Sequence, residues 1–222
     1  METSIPGIYA LGDAVEVTHF VTGAKSHIAL AGPANKQGRI AADHICGRRS
    51  AYTGALGTSV LKLFDLTAAS TGLNEKQARA AGVAYDKVVT YSASHASYYP
   101  GARNMTVKTL FDPASGRILG AQIVGFDGVD KRMDVLAAAI RAGLTAEQLT
   151  ELDLAYAPPY GSAKDPVNMA GYVIENVRAG LVEQHHWDAV AELPADGSVI
   201  LLDVRTPGEV RKQGLLRSDA LH

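Results

Sequence analysis

In the stretch LDLAYAPPYGSAKDPVNMAGY, Leu152 to Tyr172, two tyrosines, Tyr156 and Tyr160, bracket Pro158-Pro159. A basic-acidic pair, Lys164-Asp165, stands directly before Pro166. A phenol with a reference pKa of about 10 keeps its proton at neutral pH, so it can donate a hydrogen bond or a proton to a developing anion. The same rings also fill protein interfaces, where tyrosine is common. A chain that only had to turn would use Gly or Asn with one Pro. Two prolines instead make a stiff, extended arm, which loses less entropy when it docks. A second feature lies near the start, where Ile8-Tyr9-Ala10 meets Gly12-Asp13 and a helical pattern, IALAGPANKQGRIAADHICG, follows. This predicts a buried strand ending at a tight turn that presents the Asp13 carboxylate. The helix then begins with small residues, so a flat ligand can approach the backbone. Unpaired N–H groups at a helix start suit an electron-rich ring or an anion. Asp13 as a plain turn former is the equally economical reading.

Composition narrows the setting. The chain has 222 residues, 47% hydrophobic and 20% charged, with a formal charge of −2. That balance, without a basic block, argues against nucleic acid as a partner. No apolar run approaches the roughly 20 residues that span a bilayer. METSIPGIYALGDA has neither the basic nor the apolar region of a secretory signal. The single cysteine, Cys46, rules out an internal disulfide framework and suits a reducing cytoplasm. It is expected as a small packing residue. His185-His186-Trp187 lacks a carboxylate or cysteine at ligand spacing, so a linker and no metal site is expected there. His27 is expected at the surface or in a capping role.

The elements that must carry these residues follow from periodicity. Leu56 to Leu73 is rich in β-formers, with Val60, Leu61, Leu63, Phe64 and Leu66 as its apolar set. Asn74 caps a short helix ending at Gly82. Tyr85 to Tyr91 reads as a strand. Met105 to Phe111 and Ile118 to Phe126 read as strands joined by the turn Asp-Pro-Ala-Ser-Gly. A helix from Asp130 to Ala142 carries Met133, Leu136, Ala137 and Ile140 on one stripe. Thr145 caps a short helix, and Pro166 opens one running to about Ala179. The predicted class is α+β: an antiparallel sheet with helices on one face.

IYALGDA followed by IALAGPANKQGRIAADHI resembles the second FAD-binding segment of the pyridine nucleotide-disulfide oxidoreductases. The resemblance implies that Asp13 meets the flavin ribityl chain and that the backbone of Ala29, Leu30 and Ala31 faces the ring. It places the tail of an FAD-binding domain at 1–50 and the family's dimerisation domain at 51–180, in a homodimer where each subunit completes the other's site. The proline arm then reaches across a subunit boundary. The family's G-x-G-x-x-G turn, its nicotinamide-binding fold and its redox cysteine do not occur in this sequence. The chain therefore reads as a C-terminal portion of a larger enzyme, inactive by itself.

Within that family, YAPPYGSAKDPVNMAGY, the stretch SHASYYPG (Ser94 to Gly101) and GVDKRMDV (Gly128 to Val135) are similar to the coenzyme A-disulfide reductases. The resemblance implies that Tyr98 and Tyr156 reach the partner's active site as catalytic groups. Tyr160 and Tyr99 pack near the flavin or frame the pocket. Lys131 and Arg132 face solvent or an ion-pair partner, or alternatively meet a coenzyme A phosphate. FAD is the implied cofactor, with NAD(P)H and coenzyme A disulfide, persulfide or polysulfide as substrates. Behind a linker at 181–196, LDVRTPGEV resembles the opening of a rhodanese domain, expected at 197–222 as a truncated start. The alternatives are an NADH oxidase or peroxidase of the same fold, or a dimerisation module without catalysis.

Overall fold

The computed structural model describes residues 1–215 and 217–221, and it divides into two units, Met1–Leu181 and Val182–His222. The first unit opens with a 3-10 turn, Gly12–Ala14, then β1, Val17–Thr18, antiparallel to β2, Lys25–Ser26, and the helix α1, Ala31–Ile45. The buried strand expected at Ile8–Ala10 does not form: Tyr9 makes only an isolated bridge to Glu2, and Ile8 is exposed. A strand needs a neighbour for its backbone groups, and Tyr9 finds just one residue. Cys46 is also a correction. It is exposed at the C-terminal end of α1 rather than packed, because the helix stops there and Gly47, φ 78°, turns the chain away.

A five-stranded antiparallel sheet follows, in the order β3-β4-β7-β6-β5. Its strands are β3, Ser59–Leu63; β4, Leu66–Gly72; β5, Asp86–Ala93; β6, Asn104–Phe111; and β7, Ile118–Gly125. Between them lies α2, Glu75–Ala80, and after them α3, Val129–Ala142; α4, Ala146–Thr150; and α5, Pro166–Arg178. Alternation decides which side is buried. Met105, Val107 and Phe111 on β6 join Ile123 on β7 against Val129, Met133, Leu136 and Ile140 of α3 and Ile174 of α5. The short α2 sits against the end of the opposite face, where Ala78 packs on Leu73, Leu110 and Leu119. The β6–β7 turn forms because Asp112 Oδ1 accepts from the backbone N–H of Ala114 and of Ser115. Asn74, Thr145 and Asp165 each begin a helix with a reciprocal capping box, the last with Pro166 in the first turn. Close approach requires Gly120, since a Cβ there would lie 1.9 Å from the Leu73 carbonyl oxygen.

The edge hairpin departs from its apolar pattern. Val60, Leu61, Leu63 and Phe64 are all exposed, and Phe64 holds a left-handed φ of 52° at the two-residue tip between Leu63 and Leu66. In the second unit, a 3-10 turn, Trp187–Glu192, occupies the stretch read as a linker. Asp203 pairs with Arg205, Leu202 bridges Leu221, and α6, Pro207–Gln213, starts on a Thr206–Glu209 capping box. The expected rhodanese start also includes Leu216 and His222, which lie outside the described residues. Among the described residues, no helix is long and apolar enough to cross a membrane.

Candidate functional site

The loop after β5 and the proline arm before α5 converge although far apart in sequence. Ala96 N–H donates to the Gly161 carbonyl at 2.9 Å and reaches the Pro158 carbonyl at 3.3 Å, which fastens the two segments by their backbones. At their tips the Tyr98 and Tyr156 hydroxyls lie 2.9 Å apart. Both rings are exposed, Tyr98 at 74% and Tyr156 at 47%, so the pair faces outward. Its hydrogen bond to Tyr98 raises the Tyr156 phenol above its ordinary value, with desolvation and the neighbouring charge adding to it. A protonated phenol pair is a ready hydrogen-bond donor to an anion.

Beneath the pair, Arg132 on α3 is buried. Its Nη2 donates to Asp165 Oδ2 at 2.9 Å and to the Ser94 carbonyl at 3.0 Å, and its Nε donates to Asp165 Oδ2 at 3.1 Å. The solvated face and the phosphate contact considered for Arg132 are both corrected: the guanidinium is enclosed and satisfied by acceptors of this chain, with Asp165 as its ion-pair partner. Lys131 Nζ reaches the Ala155 carbonyl at 3.4 Å. Tyr99 stands edge-on to the buried His95, ring centroids 5.8 Å apart. The Tyr160 ring is 72% exposed at the end of the arm, and no contact among the described residues joins it to Asp13 or to Ala29–Ala31. Sequence reasoning missed the roles of Ser94, His95 and Asp165. For Arg132 a signal existed: it falls on the buried stripe Val129–Met133–Leu136–Ile140, a place an unpartnered arginine does not take.

The second group of expected residues assembles separately. The 3-10 turn lies on α1: Gly12 N–H donates to Oε1 of the buried Gln37 at 2.7 Å, and His27 Nε2 donates to the Asp13 carbonyl at 2.6 Å. That bond gives His27 a capping role at the surface. The Asp13 side chain is exposed. Whereas α2, α4, α5 and α6 start on capping boxes, α1 starts at an extended Leu30 with no side-chain acceptor for its first N–H groups. A cavity of about 300 Å³ opens beside this start, lined by His27, Ala29, Leu30, Gly72 and Gln122.

Residues 58–166 match the pyridine nucleotide-disulphide oxidoreductase dimerisation domain. A coenzyme A disulfide reductase of Staphylococcus haemolyticus is 41% identical over 172 residues, 77% of this chain and 39% of the relative. The chain thus spans about two fifths of the length of the curated relatives it matches. A solved structure of reduced Bacillus anthracis CoADR-RHD superposes with a TM-score of 0.89 at 50% identity, covering 93% of this chain and 37% of that one. The NAD-dependent persulfide reductase of A. fulgidus gives a TM-score of 0.87 at 44% identity, covering 94% of this chain and 38% of that one.

Proposed function

Since this chain belongs with the pyridine nucleotide-disulphide oxidoreductases through their dimerisation domain, we propose that it is the C-terminal part of an FAD-dependent NAD(P)H oxidoreductase that reduces coenzyme A disulfide, persulfide or polysulfide. The observation that carries this reading is the outward-facing Tyr98–Tyr156 hydroxyl pair on two interlocked loops. Breaking a disulfide expels a thiolate, and the pair donates hydrogen bonds to that sulfur or supplies its proton. The residues expected to hold the flavin lie elsewhere in the same chain, so the pair serves the partner subunit's site in a homodimer. The sheet face away from α3 supports a covered surface, with Leu61, Val124 and Tyr91 exposed in one lateral row. Tyr160, at the end of the arm, frames the same pocket and borders the partner's flavin.

FAD would relay the electrons of the nicotinamide to the disulfide centre. The residues present fit that group: among the described residues no side chain caps the first N–H groups of α1 and none pairs with the Asp13 carboxylate, and the adjacent cavity admits a ring edge. Asp13 would bind the sugar-like chain, with Ala29, Leu30 and Ala31 along the ring. Residues 197–222 are proposed as the start of a rhodanese-like domain, on the Asp203–Arg205 pair, the isolated Leu202–Leu221 bridge and α6 behind it. Cytoplasmic placement fits the single exposed cysteine. The relatives named as coenzyme A disulfide and persulfide reductases favour this reading over an NADH oxidase.

Tyr156→Phe in the full-length protein is the test. It keeps the ring and the dimer but removes one charge-assisted hydrogen bond, so substrate reduction should slow roughly ten- to hundredfold. Flavin reduction by the nicotinamide should stay near normal. Stopped-flow scores the two half-reactions separately. An unchanged rate with coenzyme A disulfide returns the tyrosines to interface filling.

A further inference from the structure

Arg132 touches both tyrosine loops from below. Besides Asp165 and the Ser94 carbonyl, its Nη2 reaches the Tyr160 carbonyl at 3.5 Å, and its Nη1 donates to the Gly128 carbonyl at 3.2 Å. Ser94 precedes Tyr98 in one loop and Tyr160 follows Tyr156 in the other, so one planar group ties the root of each loop. Asp165 in turn caps α5, accepting from Val167 N–H at 3.0 Å, which fixes the end of the arm. Four segments thus meet on one guanidinium. Lysine cannot replace it, having a single nitrogen and no fork.

We propose that the buried Arg132–Asp165 pair is a positioning device that holds the two loops at the separation where the Tyr98 and Tyr156 hydroxyls meet. Its consequence for turnover rests on the reading that these hydroxyls serve the departing thiolate. The contrasting role is a buried ion pair that only stabilises the fold. The two differ in what a neutral, folded replacement does. In the double variant Arg132→Met with Asp165→Asn, the methionine fills the space, the asparagine keeps an acceptor for the α5 cap, and no unpaired buried charge remains. What is lost is the set of donors to the Ser94, Tyr160 and Gly128 carbonyls.

The pair is read directly by carbon-13 NMR of ring-labelled tyrosine across a pH titration of the chain, with Tyr156→Phe assigning the signal. The Tyr156 phenol should titrate above its ordinary value in the parent, because it bonds Tyr98. In the double variant its titration should move down to where Tyr98→Phe places it. Arg132→Lys, which keeps the charge, should move it the same way and covers the case in which the double variant fails to fold. Parental Tyr156 titration in either folded variant overturns the proposal. In the full-length protein the same variants should slow substrate reduction roughly ten- to hundredfold with flavin reduction unchanged. Tyrosine titrations that move without that loss leave the positioning role standing and remove the catalytic reading of the hydroxyls.

Discussion

Residues 1–50 and the sheet domain share one unit but are held by different means. In the sheet domain, two strand faces and three helices close around Val107, Ile123, Met133, Leu136 and Ile174, none more than 2% exposed. In residues 1–50, the buried side chains are few: Val17, Ala41, Gln37 and His19. What ties that segment to the sheet domain is narrow: Val21 packed on the edge of the core, backbone hydrogen bonds of Thr18 and Phe20 with Ala55, and the Arg141 guanidinium 4.1 Å from the Phe20 ring centroid. A core that excludes water is cooperative, whereas a set of separate ties opens piecemeal. The segment that would receive a cofactor is therefore the looser one, and the surface that presents the tyrosines is built on the rigid one.

Truncating each region sets the comparison most sharply. Leu136→Ala removes a fully buried side chain between β7 and α3 and should cost about 2–5 kcal/mol, read from chemical denaturation. Ile45→Ala, on the last turn of α1 with 64% of its surface exposed, should change stability by no more than about 0.5 kcal/mol. Similar losses at the two sites would mean that α1 has a packed core of its own.

Acid separates the regions in a different way. His19 is buried, and that burial lowers its pKa, against a raising hydrogen bond with the Gly72 backbone. The unfolded chain takes up a proton near the ordinary value of about 6.5, so the fold around His19 weakens as pH falls below it. Glu75 behaves otherwise. Burial pushes its carboxyl up, but hydrogen bonds and charges from Lys108 and Lys87 outweigh this and hold it at about 2. Its contribution is complete above the ordinary 4.5 and is lost only between there and about 2. Hydrogen exchange should show the Val17–Val21 amides losing protection at higher pH than those of β6. Glu75→Gln should cost roughly 1–2 kcal/mol at neutral pH, after solvent screening at Lys108, and flatten the lower window. Simultaneous loss of both sets of amides would erase the distinction.

Legibility followed range of interaction. The Asp112–Gly116 turn, the Asn74 and Thr145 caps and Pro166 at the start of α5 act within a few residues, so their letters announce them. The sheet order and the meeting of Tyr98 with Tyr156, 58 residues away, are long-range and were not legible; family likeness implied only that both tyrosines serve one site. Ile8–Ala10 looks like a strand because apolar content is local, yet pairing is not. Val60, Leu61 and Leu63 read as apolar and turn out exposed, since an edge hairpin has no second layer in this chain. For Arg132 the ion pair was legible and the burial was not: charge suggested an exposed face, while its place on the α3 stripe pointed inward.

The smallest expected effect on the fold falls at Asp13. Its side chain is exposed, its carboxylate makes no hydrogen bond or ion pair among the described residues, and only its backbone carbonyl is engaged, by His27. Asp13→Ala removes that carboxylate and leaves the His27 bond intact, so thermal unfolding of the chain should shift by no more than about 0.5 kcal/mol. Its effect on ligand should be out of proportion. If the proposed flavin role holds, the full-length variant should lose flavin on dilution or mild chaotrope with the proposed dimer intact, monitored by flavin fluorescence and sedimentation together. The two readouts guard each other: flavin loss with a dissociated dimer would be a folding effect, and a variant holding flavin as tightly as its parent would make Asp13 a turn former. Loss of flavin from an intact dimer would leave the sheet domain's tyrosine pair in place, with the two regions failing independently as their different construction requires.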